Sequence, residues 1–304
     1  MPLVTVFGPN PLLGVTIEAR RGEADDIHIH AGGQGVWVAR TARQLGAETR
    51  LCGFAGGETG GLLRPLLAEL AGECRLVETA GASGCSVVDR RSGARELLAA
   101  SWSDAPSRHE LDDLFSVTCA SALTSQALAV CNPWPGDLLP LEVYGNLVSD
   151  ARANGVPVLV DLSSPRLEAA LEAGPDVVKI NDWELAGFVN GPVDGPRLRA
   201  GAELLLERGA AAAVITRGGE PGLAVTADAA WELVPPRLDR GFREGCGDSM
   251  LGAMAAVRAG GGDLERMLVM GAAAGAACFL RHGLGSARLP VIEELEAQVE
   301  LREL

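Results

Sequence analysis

The sequence predicts an α/β fold: a doubly wound, mostly parallel sheet with helices on both faces, plus a small β lid. Short apolar runs alternate with helical patterns along the chain, as they do when crossover helices join parallel strands. Two stretches, about 15–30 and 84–100, break this alternation, and the second reads as a hairpin around a polar, glycine-containing turn. We therefore assign both stretches to the lid, as insertions in a single domain covering 1–304.

The individual elements follow in chain order from their apolar periodicity. Strands are predicted at 4–7, 50–54, 127–131, 156–161, 177–180, 212–216 and 222–226, and the lid hairpin at 85–89 and 95–99. Helices are predicted at 35–45, 60–70, 138–154, 165–172, 182–189, 196–208, 248–259, 263–280 and 290–301.

Composition excludes several classes of protein. A chain of 304 residues that is 47% hydrophobic can bury a large core, and its net charge of −14 without a basic cluster argues against nucleic acid or a membrane surface as partner. No apolar run reaches the roughly 18 residues of a membrane helix and no signal peptide is readable, so we expect a cytoplasmic protein. The seven cysteines lack metal-binding spacing, so we expect neither disulfides nor a structural zinc.

The strongest local signal is the glycine-rich turn Gly245-Cys246-Gly247-Asp248, which leads directly into an apolar helix. Such a turn directs backbone N–H groups and the positive end of the helix toward one point, which suits a phosphoryl group in transfer. A carboxylate there can accept the proton of an attacking hydroxyl. The alternative is that Asp248 only caps the helix.

Three weaker signals accompany this turn. Gly32, Gly33 and Gly35 allow close backbone approach to a ligand or a tight turn before a helix. Asn181 and Glu184 are three residues apart at the end of a strand, where they could organise Mg²⁺ or simply cap the next helix. A glycine-rich loop follows another strand and could bracket a phosphate or form a plain hairpin turn; it contains Thr216, Arg217, Gly218 and Gly219.

The order of these landmarks, Gly-Gly-x-Gly, Lys-x-Asn-x-x-Glu, Thr-x-Gly-Gly and Gly-x-Gly-Asp, resembles that of the PfkB carbohydrate kinases of the ribokinase-like superfamily. The similarity extends over the chain and is greatest to the 1-phosphofructokinase and tagatose-6-phosphate kinase branch. It implies a doubly wound sheet with a β lid over the sugar. It also implies an ATP-dependent, Mg²⁺-requiring phosphotransferase acting on a hydroxyl of a small sugar, polyol or sugar phosphate.

The resemblance also implies a role for each matching residue. Asp248 would be the general base, and Gly245, Cys246 and Gly247 the anion hole. Asn181 and Glu184 would organise Mg²⁺. The nucleotide would contact Lys179, Asn181, Thr216, Arg217, Gly218, Gly219 and Gly283, and the acceptor would contact Gly14, Gly32, Gly33, Gln34, Trp37, Arg40 and Asp248.

The chain departs from the family pattern at the acceptor end. Gly14 stands where the family has a hydroxyl-binding aspartate, and Gln34 and Trp37 replace a lysine and an asparagine. Since lost hydrogen-bonding partners discriminate strongly between substrates, we expect weak activity on fructose 1-phosphate, fructose 6-phosphate and tagatose 6-phosphate.

Two alternative functions remain open. Trp37, Trp102 and Trp134 fall on altered positions, and stacking on them would suit a nucleoside or vitamin-like ring as acceptor. A catalytically silent ligand-binding or regulatory protein on a kinase fold is the other alternative. The lid also offers a surface for a homodimer.

Overall fold

The computed structural model describes residues 1–20, 22, 24–134, 136–281 and 287–304. Its strands are β1 (Leu3–Phe7), β2 (Leu12–Glu18), β3 (Asp26–Gly32), β4 (Glu48–Gly56), β5 (Glu73–Thr79), β6 (Cys85–Asp89), β7 (Glu96–Ser101), β8 (Ala127–Cys131), β9 (Val158–Asp161), β10 (Val177–Asn181), β11 (Ala212–Arg217), β12 (Glu220–Thr226), β13 (Ala230–Val234) and β14 (Glu300–Glu303). Its helices are α1 (Gln34–Gln44), α2 (Gly57–Ala71), α3 (Arg108–Ala122), α4 (Glu142–Ala153), α5 (Arg166–Glu172), α6 (Asp182–Phe188), α7 (Pro196–Glu207), α8 (Cys246–Ala259), α9 (Leu264–Phe279) and α10 (Leu289–Glu296).

The central sheet has ten strands in the order β14-β13-β12-β11-β10-β9-β8-β1-β4-β5. The seven strands from β11 to β5 pair in parallel, and the other three extend the sheet with antiparallel pairs. The chain moves outward from β1 to β5 and then returns to β8 on the other side of β1. This reversal confirms the predicted doubly wound, mostly parallel sheet, and ligands bind outside the carboxyl ends of the strands at such a point.

Apolar side chains cover both faces of this sheet. In β8, Leu128 and Val130 belong to one buried cluster, whereas Ala127, Ala129 and Cys131 belong to the cluster on the opposite face. Strands buried on both faces read as continuous apolar runs, which is why the sequence alone locates most of them.

The lid is a separate four-stranded sheet with the order β3-β2-β6-β7. Two antiparallel hairpins, β2-β3 and β6-β7, are joined through a parallel pairing of β2 with β6. The structure therefore confirms the predicted lid, although its first strand begins at Leu12. Within the described ranges, no helix has the length and hydropathy needed to cross a lipid bilayer.

Several elements differ from the prediction. The helix predicted at 290–301 is wrong in its second half, because α10 ends at Glu296 and Glu300–Glu303 pairs with β13 as an edge strand. Val299 and Leu301 pack against the core in this arrangement, so tertiary contacts override the local helical pattern. The prediction also omits α3, β5 and β13.

Two close backbone contacts bring α1 and α8 to the centre of the sheet. A Cβ on Gly35 would lie 2.5 Å from the Cα of Gly8, which follows β1, and a Cβ on Gly252 would lie 2.4 Å from the carbonyl oxygen of Val38. Only glycine permits this approach, which packs the first turn of α1 against the end of β1 and packs α8 along α1.

Candidate active site

A buried ion pair joins the carboxyl-end halves of two neighbouring strands. The Nζ atom of Lys179, in β10, lies 2.5 Å from Oδ2 of Asp161, the last residue of β9, and both side chains are almost fully buried. Burial alone lowers the pKa of Lys179, but Asp161 and then Glu184 and Asp248 outweigh it, so that its net pKa is raised and it stays charged. Asp161 was not among the predicted site residues, although a carboxylate ending an apolar strand is a signal that could have indicated it.

The glycine-rich turn lies directly against this lysine. A Cβ on Gly247 would stand 2.6 Å from the Nζ atom of Lys179, so the ammonium group contacts the first turn of α8. Gly245, with φ of 77°, adopts the left-handed conformation and serves as the N-cap without a side-chain hydrogen bond. The Cys246 amide donates to the carbonyl oxygen of Arg243 at 3.3 Å. The helix start and the ammonium group both direct positive charge toward this turn, as an anion site would need.

Asp248 does not act as the cap of its helix, because the N-cap is Gly245 and Asp248 lies in the first turn. Burial is the main cause that raises the pKa of Asp248 to about 7, and the charge of Asp161 raises it further, against the opposing effects of Lys179 and of a hydrogen bond with Gln34. A carboxyl group with this pKa can exist as either acid or base near neutral pH, which suits proton transfer.

Asn181 and Glu184 form a capping box at the start of α6. Asn181 Oδ1 accepts from the amide of Glu184, and Glu184 Oε2 accepts from the amide of Asn181, both at 2.9 Å. The structure therefore shows the predicted cap. The Glu184 carboxyl group also belongs to a charged centre, which consists of Lys179, Asp161, Glu184 and Asp248. Burial first, and then Asp161, raise the pKa of Glu184 to about 7.

The predicted nucleotide loop follows β11 and connects it to β12. Thr216 Oγ1 donates to the carbonyl oxygen of Ile180 at 3.4 Å, which ties the end of β11 to β10. A Cβ on Gly218 or Gly219 would meet nothing within 4 Å, so both glycines face open space, and the positive φ of Gly218 is what a tight hairpin turn requires. Gly283 lies outside the described residues.

A cavity of about 170 Å³ lies under the lid. Four of the predicted acceptor residues line it: Gly14, Gly32, Gly33 and Trp37. Gln34 lies between this region and the base, since its Oε1 accepts from the amide of Asn132 at 2.6 Å while its side chain hydrogen-bonds Asp248. Arg40 is not among the lining residues; burial and then the charge of Arg281 lower its pKa.

His30 occupies the space next to Gly14. The two residues are partners across β2 and β3, and a Cβ on Gly14 would lie only 2.1 Å from Cε1 of His30. The Nε2 atom of His30 lies at hydrogen-bond distance, 3.1 Å, from Thr16 Oγ1. The centroid of its ring lies 6.3 Å from that of the Trp37 indole. Where the family resemblance places an aspartate, this chain therefore has an imidazole, a substitution that only the strand pairing reveals.

Arg90 contributes an incompletely paired cation to the same cavity. It is 7% exposed and lies 5.1 Å from the ring centroid of Phe242 and 3.4 Å from the carboxylate of Glu244. Among the described residues, its buried Nε and Nη1 atoms have no hydrogen-bond partner. Because such unpaired donors are costly, they indicate an anionic ligand at this point. A larger groove of about 500 Å³ lies beside β14 and α9, and its charged lining is Arg266 with three acidic residues: Asp263, Glu265 and Glu303.

Comparison with known proteins agrees with this geometry. Residues 11–291 match the model of the pfkB family carbohydrate kinases. The chain is 32% identical over 259 residues to the ATP-dependent 6-phosphofructokinase isozyme 2 of Escherichia coli K12, covering 83% of this chain and 82% of that protein. It is 26% identical to the 1-phosphofructokinase of the same organism, over 98% and 97% of the two chains.

Solved structures support the same assignment. The crystal structure of phosphofructokinase-2 from Escherichia coli with potassium superposes with a TM-score of 0.86 at 27% identity, covering 98% of this chain and 99% of the other. Arabidopsis thaliana ribokinase, at 19% identity, covers 97% and 98% of the two chains with a TM-score of 0.73 and so shares the fold. The matched range, the sheet order with its lid and the placement of the four landmarks lead to one conclusion: the chain belongs to the pfkB family of carbohydrate kinases.

Proposed function

We propose that this kinase transfers the γ-phosphoryl group of ATP to a hydroxyl of a small phosphorylated sugar or polyol, with Asp248 as the general base. The observation that carries the proposal is the position of Asp248: a carboxyl group with a pKa of about 7, in the first turn of α8, beside the glycine turn and the charge of Lys179. The relatives named as phosphofructokinases support a phosphorylated acceptor.

The proposed reaction uses this geometry in a simple order. The acceptor hydroxyl lies under the lid and donates its proton to the Asp248 carboxylate as its oxygen attacks the γ-phosphorus. The positive end of α8, the Lys179 ammonium group and the amides of Gly245 and Gly247 would face the migrating negative charge. The Cys246 amide donates to the carbonyl oxygen of Arg243 instead. Since little covalent chemistry falls to the protein in phosphoryl transfer, positioning supplies much of the rate.

The charged centre also fits Mg²⁺ bound together with ATP. Asp161, Glu184 and Asp248 all act on the one ammonium group of Lys179, so a further cation would relieve their mutual repulsion. The described residues contain no cluster of three acidic, histidine or cysteine ligands. Mg²⁺ commonly needs only one or two carboxylates besides phosphate oxygens and water, and Glu184 with Asn181 would supply the protein side. When bound, the ion offsets phosphate charge.

At the acceptor end, the cavity under the lid favours a phosphate group. It disfavours the contact between an aspartate at position 14 and sugar hydroxyls that the family resemblance implies. Arg90 offers two unpaired N–H groups, which suit a phosphate oxygen. His30 fills the space in which an aspartate at position 14 would bind hydroxyls. We therefore propose a phosphorylated acceptor whose hydroxyl pattern differs from those of the three expected poor substrates.

Asp248→Asn should lower kcat by at least about 10²-fold while leaving ATP binding intact, because an amide cannot accept the proton. In the wild type, kcat/KM should fall below a pH of about 7 with a slope that approaches tenfold per pH unit, as the carboxylate becomes protonated. Turnover assays and ATP titration calorimetry measure both effects.

The matched control is Asp263→Asn. Asp263 does cap its helix, since its side chain accepts from the amide of Arg266 at 2.8 Å, and asparagine also caps. This variant should keep wild-type activity. Near-normal turnover in Asp248→Asn, or a flat rate from pH 5.5 to pH 8, would exclude Asp248 as the base.

Glu184→Gln should raise the Mg²⁺ concentration for half-maximal activity by roughly 10- to 100-fold, with a smaller effect on the acceptor KM, because it removes charge near the metal. Glu110→Gln is the control: Glu110 completes the capping box of α3 with Ser107, remote from this centre. Equal Mg²⁺ titrations in the two variants would mean that Glu184 only caps α6.

An ADP-release screen over sugars, sugar phosphates, polyols and nucleosides should find turnover only with phosphorylated acceptors. On the acceptor so found, Arg90→Met should raise KM about 10- to 100-fold without changing the KM for ATP, since a charged hydrogen bond is lost. Arg91→Met is the control, because Arg91 is exposed and paired with Asp89 and Asp25.

Other outcomes of the screen are equally informative. Turnover of a nucleoside would favour the ring-kinase alternative, for which the chain offers the edge-to-face pair Trp102 and Trp134, 6.0 Å between centroids. Nucleotide binding without turnover on any acceptor would favour a silent protein. A kcat/KM of roughly 10⁴ M⁻¹s⁻¹ or above on fructose 6-phosphate would show that the substitutions at the acceptor end do not change the substrate.

The lid is also the proposed surface of a homodimer. Its edge strands β3 and β7 expose large apolar side chains: Ile27, Ile29, Leu97 and Leu98. Light scattering should give about twice the monomer mass for the wild type, and Ile27→Glu with Leu98→Glu should give the monomer. Leu62→Glu, at an exposed leucine of α2, should leave the dimer intact. A monomeric wild type would contradict this assembly.

A further inference from the structure

Two cysteines meet behind the anion-binding turn. Cys246 is the first residue of α8, and Cys278 lies in the last turn of α9, buried at 1% exposure. Cys246 packs against the buried cluster that contains Cys278. We propose that Cys246 and Cys278 are a modification site at which a peroxide forms a reversible disulfide, and that this bond disables the anion-binding turn.

Backbone contacts hold the two thiols in place. The amide of Phe242 donates to the carbonyl oxygen of Phe279 at 2.8 Å, which fixes the loop before α8 along the end of α9. The Cys278 thiol donates to the carbonyl oxygen of Glu244 at 3.5 Å, and the Cys246 thiol to that of Phe242 at 3.3 Å. One turn before Cys278, a Cβ on Gly275 would lie 3.2 Å from the carbonyl oxygen of Cys246. The helices thus approach closely where the sulfur atoms meet.

The surroundings of Cys278 favour loss of its thiol proton. Its hydrogen bond from Cys246 is the main cause that lowers the pKa of Cys278; burial opposes it, and Ser249 and Arg281 assist it. The pKa of Cys246 is raised by the same hydrogen bond and by burial. Cys278 is therefore the thiol of the pair that loses its proton more readily, and its sulfur is the more nucleophilic one.

Four of the other five cysteines offer a contrast. Burial raises the pKa of the Cys52 and Cys131 thiols, and it raises the pKa of Cys74 and Cys119 to about 11. These thiols stay protonated at neutral pH, when nucleophilic attack needs a thiolate. The reactive pair is therefore Cys246 with Cys278, rather than the more accessible Cys119.

The proposed chemistry is a two-electron oxidation by hydrogen peroxide. The Cys278 thiolate attacks one peroxide oxygen, the O–O bond breaks, and sulfenic acid and hydroxide form. Cys246 gives its proton to that hydroxide, and its sulfur attacks the sulfenic sulfur, so that the S–S bond forms, the S–O bond breaks and a second hydroxide leaves. That hydroxide takes the proton that Cys278 first lost, so two thiols and one peroxide yield one disulfide and two waters. A dithiol such as dithiothreitol reverses the change.

The functional effect follows from the position of Cys246. Its backbone amide belongs to the turn that faces the phosphoryl group, and a disulfide constrains both sulfur atoms to bonding distance. The turn would shift relative to Lys179 and Asp248. This effect on rate rests on the proposed function, whereas formation of the bond does not.

Peptide mapping tests the bond directly. The reduced full-length protein is treated with hydrogen peroxide, alkylated and digested with trypsin. Cleavage after Arg243, Arg258, Arg266 and Arg281 places each cysteine alone in its peptide. We expect a linked pair of peptides 244–258 and 267–281, two hydrogens lighter than their sum, that dithiothreitol separates. Linkage of another pair, or no linkage, overturns the proposal whether or not the protein has kinase activity.

Activity assays test the consequence. Peroxide should lower the rate by at least about tenfold, and dithiothreitol should restore it. Cys278→Ser should resist peroxide, and Cys119→Ser should remain as sensitive as the wild type. If Cys278→Ser does not fold, Cys278→Ala replaces it. A linked protein that keeps full activity would overturn the effect on the turn, and peroxide inactivation that persists in a folded Cys278 variant would assign the loss to another residue.

Discussion

The ion pair of Lys179 with Asp161 is the interaction on which the rest of the site depends. It is the meeting point of two strand ends and the first turn of α8, and it contains the only lysine of the chain. Breaking a buried pair by removing one partner costs about 3–5 kcal/mol, because the remaining charge stays unpaired. Gly247 is required for the same reason, since a Cβ there would displace the ammonium group. The buried charge of Lys179 thus joins the carboxyl ends of β9 and β10 to the first turn of α8. It also affects the pKa of the neighbouring carboxyl groups.

The excess of carboxyl groups around this lysine links structure to reactivity. If a single acid faced Lys179, the pKa of that acid would be low and it would be a poor base. Burial first, and then the charge of Asp161, instead raise the pKa of Asp248 and of Glu184 to about 7, although Lys179 opposes both shifts. The same imbalance makes a bound cation favourable. The proposed proton acceptance and the proposed Mg²⁺ binding would therefore arise from one electrostatic arrangement, which burial in the fold maintains.

The sequence predicts this arrangement only in part, and the limit is physical. Continuous apolar runs identify the strands because both faces of the sheet are buried, and the glycine turn is identified because backbone approach needs its residue types. Asp161 and Lys179 are 18 residues apart, and their pairing appears only when β9 and β10 are placed side by side. The sequence does not indicate His30 or Arg90. His30 matters through its pairing with Gly14 in the lid, and Arg90 matters through its burial. The Asn181 and Glu184 pattern fits both a cap and a metal site; the structure shows the cap, and the metal site stays a prediction.

The two ends of the site differ in how freely they can change. Backbone amides, glycines and a buried ion pair build the phosphate end, and a substitution there would disturb the sheet edge as well as the chemistry. Side chains of the lid build the acceptor end, where Gly14 and His30 compensate for each other in space. A change of acceptor can therefore occur through paired lid substitutions while the phosphate end remains intact. This division would explain why the four landmarks match the family pattern in a chain whose proposed acceptor residues depart from it, and why the acceptor must be inferred from the lid.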